Sequence, residues 1–237
     1  MKNMIKRISV LTILMLAFMA TDTMAQQCNY FYPTAQGTSL EYTFYNKRDK
    51  ETGKQVQKVV KSEQKDGATV LTIQASQKDN RAEEAVETTF EVKCDEGNFY
   101  MNMSDFASAF NYQQYQGQPN MSVDIESNGL YYPSNLTVGQ VLPEGKVQID
   151  IAVNGHNMFG TTVSVINRKV EGKETIETPA GKFECLKISA DVITKSAVNS
   201  ENKTIQWLAK GVGMVKSENQ NKGGKMISYQ LLTKIQE

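Results

Sequence analysis

Along the chain, apolar and polar residues alternate with a period of two. In the segment SLEYTFYNK, Leu40, Tyr42 and Phe44 share one face. In AVETTFEVKC, Val86, Thr88, Phe90, Val92 and Cys94 line one side, while Glu87, Glu91 and Lys93 point away. KVQIDIAV sets Val147, Ile149, Ile151 and Val153 against Lys146, Gln148 and Asp150, and MISYQLLTKI places Ile227, Tyr229, Leu231 and Ile235 together. Successive side chains of a strand point to opposite faces, so this alternation predicts strands with one buried and one wetted side, the habit of antiparallel sheets. Between them lie the turn signals DKETGK, QKDGA, CDEGN, NGHNMFG and VEGKE. Gaps this short favour hairpins over helical crossovers. The count comes to about ten to twelve strands, mostly neighbours in sequence.

One region breaks the rhythm. In NMSDFASAFNYQQYQGQPNMS, Ser104 suits a helix N-cap, and Phe106 and Phe110 lie four residues apart, so a short helix is predicted there. YYPSNLTVGQVLPEG reads as a loop leading into the next strand, with Pro133 and Pro143 interrupting any ladder.

The glycines of WLAKGVGMVK raise the question of a phosphate-cradling loop. A dinucleotide fingerprint needs a third glycine and a following helix, and neither is present after Gly211 and Gly213. With Ile205 and Trp207 sharing a strand face before the glycines and Val215 leading a strand after them, KGVG reads as a hairpin turn. Trp207 is expected to be buried.

Composition changes the picture at the amino terminus. Lys2, Lys6 and Arg7 precede the 13-residue apolar run ISVLTILMLAFMA, and TDTMA ends in the small residue Ala25. That order predicts a signal peptide over residues 1–25, cleaved before Gln26, with an apolar run too short to span a bilayer comfortably. The AQQ before Cys28 is not the small-residue run that lipidation needs, so residues 26–237 are expected as one exported β domain, periplasmic or associated with the envelope of a Gram-negative bacterium. Without the leader the net charge is close to −2, which provides no broad footprint for nucleic acid or anionic membrane. No further segment is apolar enough to span a membrane.

Candidate chemistry is sparse. His156 is the only histidine, and no cysteine or second histidine lies at ligand spacing, so no metal site is predicted. The G-x-S-x-G elbow is absent and no carboxylate pair is marked, which leaves no catalytic residues and no cofactor to assign. Three cysteines allow three pairings. Cys28 lies near a terminus that needs tying down, and Cys94 ends a strand before a turn. Cys185 sits among apolar strand residues as a small buried hydrophobe. A Cys28–Cys94 disulfide is therefore expected, with three free thiols as the alternative.

Three segments taken in order, CNYFYPTAQGTSLEYTFYN, IETPAGKFECLKISADV and IQWLAKGVGMVKSE before a final SYQLLTKI, resemble the TapB-like family of exported bacterial domains of Bacteroidetes-type envelopes. The resemblance implies an all-β domain outside the cytoplasm, with no activity or ligand to carry over. The residues account for the middle segment by themselves: Pro179 and Gly181 make TPAG a tight turn, and Leu186, Ile188, Ala190 and Val192 line one face of a long strand with Phe183 and Cys185 on the other.

The expected fold is thus all-β: a strongly curved antiparallel sheet or partly open β-barrel with one short helix. The expected function is a non-enzymatic envelope binding module for a lipid or other apolar ligand, with Phe106, Phe110, Tyr112 and Tyr115 as ligand contacts. An envelope protein–protein interaction domain is the alternative.

Overall fold

The computed structural model describes residues 32–103 and 118–237. The signal-peptide segment, Cys28, the helix expected near Phe106 and the four aromatic ligand candidates all lie outside the described residues. Among the described residues the chain forms β1 (Ser39–Asn46), β2 (Glu51–Lys65), β3 (Ala68–Asp79), β4 (Val86–Asp95) and β5 (Asn98–Met101), then β6 (Met121–Ser127) and β7 (Leu130–Tyr132). The long carboxy-terminal run is β8 (Gly145–Val153), β9 (His156–Thr178), β10 (Gly181–Lys195), β11 (Ser200–Ala209), β12 (Gly213–Asn221) and β13 (Met226–Gln236). All pairings are antiparallel, in one sheet of 13 strands ordered β6-β8-β9-β10-β11-β12-β13-β1-β2-β3-β4-β5-β7. This exceeds the strand number expected, in part because Tyr131 and Tyr132, expected as the start of a loop, belong to strand β7 paired with β5.

The order explains the shape. β6 and β7 are the two margins of the sheet, yet only Asn128 and Gly129 separate them in sequence. One tight turn therefore draws opposite margins together and bends the sheet back on itself. No ladder joins β6 to β7, so the sheet is not a closed barrel. Its inner face holds one continuous core, including Leu40, Tyr42, Val59, Ile73, Phe99, Tyr132, Ile188, Leu208 and Leu232. A second cluster of Val147, Ile149, Ile151 and Met103 lies along β8. A third, around Trp207, Cys185, Ala209 and Val215, sits on the other face, so the strands between are apolar on both sides as FECLKI implies.

Bulges decide which residues face the core. Between Glu41 and Tyr42 the register with β13 slips, leaving Thr233 unopposed. The slip shifts the phase of β13, so Leu232 and Ile235 join the main core. Tyr229, expected beside Ile235, instead stacks on Tyr45 at a centroid distance of 4.9 Å. A second slip between Trp207 and Leu208 leaves Val215 as the extra residue of β12, which turns it under the indole. KGVG is the β11–β12 hairpin turn, with φ of 74° at Gly211 and 98° at Gly213.

Candidate functional site: the seam between the sheet margins

The seam is built from small residues and one buried cation. Gly129 adopts φ of 65°, and a Cβ there would come within 2.9 Å of the Met101 carbonyl oxygen. Gly145, at the start of β8, would likewise drive a Cβ into Leu130 and Met103. These glycines allow the β6–β7 turn to nest against β5 and β8. Pro133 to Glu144 then run beside β9: Gly139 N–H donates to Val170 O at 2.7 Å, Val170 N–H to Gln140 O at 2.9 Å and Leu142 N–H to Arg168 O at 2.8 Å.

Arg168 fastens this arrangement from within. Between the pairs Ser189–Lys169 and Asp191–Ile166, β10 has one residue, Ala190, and β9 has two, Asn167 and Arg168, with Asn167 at φ of 51°. The bulge aims Arg168 into the core, where it is 2% exposed. Its Nη1 donates to Tyr131 O at 3.0 Å and Pro143 O at 2.5 Å, and its guanidinium carbon lies 4.4 Å from the Tyr132 ring centroid. One side chain thus satisfies carbonyls of β7 and of the segment before β8, while the aromatic face stands in for lost water. Nη2 has no partner. Sequence reasoning missed Arg168. The available signal was a change of phase, since Val163 and Val165 give way to Arg168 and Val170.

Beside the seam, the β4–β5 ladder stops at Val92 opposite Met101. A groove of about 680 Å³ opens there, between β3, β4, β5 and the Ser127–Leu130 turn. Val70, Phe90, Val92, Met101 and Leu130 provide apolar lining, and Glu63, Lys65, Glu91 and Lys93 bring charge. Tyr100, also lining it, packs on Tyr131 at a centroid distance of 4.9 Å. Burial raises the Tyr100 phenol above its ordinary range, so it is a neutral donor at physiological pH.

The other sequence candidates scatter. His156 is exposed at the start of β9 beside the Asn154–Gly155 turn. Cys94 is buried at the end of β4. Cys185 is a free, buried thiol, its ionisation pushed up to about 11 by burial and by nearby Glu174. Trp207 is 4% exposed, as expected. Its Nε1 donates to Glu174 Oε2 at 2.7 Å, and Lys187 and Lys216 place their ammonium groups 5.4 Å and 4.6 Å from ring centroids of the indole. Bonds from Lys187 and then Trp207 hold the Glu174 carboxyl below its ordinary range. Among the described residues no group of three or more His, Cys, Asp or Glu side chains is placed to hold a metal.

A family model described as DUF3108-like matches residues 35–232. That match, rather than the TapB-like label expected from the sequence, defines the family. No curated protein matches the chain. Among solved structures, a protein from Bacteroides fragilis classed as exported, with a YmcC-like fold, is 22% identical, with a TM-score of 0.69 over 89% of this chain and 100% of its own. One from Parabacteroides distasonis classed as a lipoprotein is 20% identical, with a TM-score of 0.70 over the same shares. At such identities the likeness shows a shared fold.

Proposed function

The chain belongs to the DUF3108-like family, and on that premise we propose that it is a non-enzymatic exported module of a Gram-negative envelope that holds a lipid or other amphipathic ligand. The groove beside β4 and β5 carries this reading. Its volume of about 680 Å³ falls within the range of small-molecule sites, and five apolar side chains bordered by charges suit a ligand with an apolar body and a polar end. Asn102 lines this groove two residues before Ser104, so Phe106, Phe110, Tyr112 and Tyr115 enter the reading as candidate contacts. The leader-like residues 1–25 and the exported or lipoprotein classification of the two structural neighbours support an envelope location.

A second reading, a docking domain for another envelope protein, draws on Val138 and Val141, which stand 55% and 72% exposed on the segment before β8. Native mass spectrometry of the protein from its exported fraction, followed by lipid extraction, separates the two. Co-purifying lipid, displaced in a Leu130→Glu variant, supports the groove. Lipid-free protein that also fails to bind a fluorescent fatty acid overturns it. The same spectrum reports whether the chain begins at Gln26.

A further inference from the structure

Two turns at one end of the sheet are built to the same plan. Asn46-Lys47-Arg48-Asp49-Lys50 joins β1 to β2, and Asn221-Lys222-Gly223-Gly224-Lys225 joins β12 to β13, so both read Asn-Lys-x-x-Lys. In the first, Asn46 N–H donates to Lys50 O at 3.0 Å and Asp49 N–H to Asn46 O at 3.0 Å. In the second, Asn221 N–H donates to Lys225 O at 2.9 Å and Gly224 N–H to Asn221 O at 2.8 Å. Each asparagine also caps its own turn, with Asn46 Oδ1 accepting from Arg48 N–H at 2.8 Å and Asn221 Oδ1 from Lys225 N–H at 2.9 Å. The fourth residue of each is left-handed, Asp49 at φ of 57° and Gly224 at 77°. β1 pairs with β13, which sets the two turns side by side, and Lys47 N–H donates to Ile227 O at 3.0 Å to join them.

Between the turns lies a groove of about 460 Å³ lined by Lys47, Arg48 and Lys225, the two asparagines, Met226 and Ile227. Lys222, in the second turn itself, pairs with Glu201 at 2.6 Å, as Lys187 does with Glu174 at 2.8 Å on the sheet. Among the described residues no carboxylate lies within ion-pairing distance of Lys47, Arg48 or Lys225. The acid within the turn, Asp49, does not line the groove and accepts a hydrogen bond from the Tyr229 hydroxyl at 2.9 Å. We propose that this groove is an anion site for a phosphate group, with the Arg48 fork and the two ammonium groups meeting its oxygens and Met226 and Ile227 lying beneath its apolar substituent. It is separate from the ligand groove: β2 begins beside the paired turns and ends at Lys65, which lines the other groove.

The test titrates the mature protein with inorganic phosphate by calorimetry, and with phosphatidylcholine vesicles, with and without phosphatidylglycerol, by co-sedimentation. A groove triple, Lys47→Gln, Arg48→Gln and Lys225→Gln, is compared with a control triple of exposed lysines, Lys78→Gln, Lys182→Gln and Lys234→Gln, of equal net charge. Losing three cations at the site weakens anionic-vesicle binding roughly 100-fold, at about a kcal/mol per cation, while the control changes it by much less. Saturable phosphate binding without vesicle binding assigns a soluble phosphorylated ligand, and vesicle binding that needs phosphatidylglycerol assigns a lipid headgroup; either result must be lost in the groove triple. Absence of both, or equal losses in the two triples, overturns the proposal.

Discussion

The outer face of β9–β12 holds a small core that can be weighed with one substitution. Trp207 is 4% exposed, packed with Cys185, Ala209 and Val215 and bonded to Glu174. Trp207→Ala removes a buried aromatic ring, which costs about 3–5 kcal/mol when the cavity relaxes only in part. Trp207→Phe keeps most of the ring and loses the N–H. Because the Glu174 side chain is 42% exposed, water replaces the lost donor, and the cost sits at the low end for a bond to a charged group, about 1.5 kcal/mol. Urea unfolding followed by far-ultraviolet circular dichroism reads both. With an m-value of about 3 kcal/mol/M, a loss near 4 kcal/mol lowers the midpoint by roughly 1.3 M. The wild-type indole, being the only one, should emit at shorter wavelength when native than when unfolded. The pH dependence follows from Glu174, whose folded carboxyl is held below its ordinary range by Lys187 and then Trp207. Its contribution is complete above the unfolded value of about 4.3 and drains away as pH falls through the lower folded value. That acid-side loss should shrink in Trp207→Phe. A Trp207→Ala midpoint within about 0.3 M of wild type, well short of the fall expected from the m-value, would refute the reasoning, since the outer cluster would then be no packed core.

Arg168→Ala empties a buried site and removes the donor to the carbonyls of Tyr131 and Pro143, and should cost about 3–5 kcal/mol in the same assay; Arg168→Lys should recover about half, because an ammonium restores a donor but not the stack on Tyr132, and equal losses would contradict this. Gly129→Ala should destabilise by roughly 2 kcal/mol or more, through positive φ and the Met101 carbonyl at 2.9 Å. Gly67→Ala, at φ of 82° with nothing within 4 Å, should cost only the conformational part, about 1 kcal/mol. Thiol counting on denatured, unreduced protein should find one free thiol, Cys185, with Cys28 bridged to Cys94; three free thiols would exclude the bridge. In the native state Cys185 should resist alkylation, since burial pushes its ionisation up to about 11.

The all-β class and most strand positions were legible because a period of two is a local property, written in residues such as Val147, Ile149 and Ile151 and in turns such as TPAG and KGVG. Local pattern also marked Trp207 as a core residue. What it could not contain was the phase of β13 beyond Thr233 or the inward turn of Arg168, because a bulge is defined by two strands counted against each other. Nor could it announce that β6 and β7 are opposite margins, since that order arises when β1 pairs with β13 across the whole length of the chain. The grooves share this origin. Lys47 and Lys225 are far apart in sequence and meet only because the first and last strands are neighbours, and the groove by Val92 exists because β5 ends four residues into its ladder. Sequence alone determined which segments extend and where they turn; the pairing of distant strands decided what those turns and faces enclose.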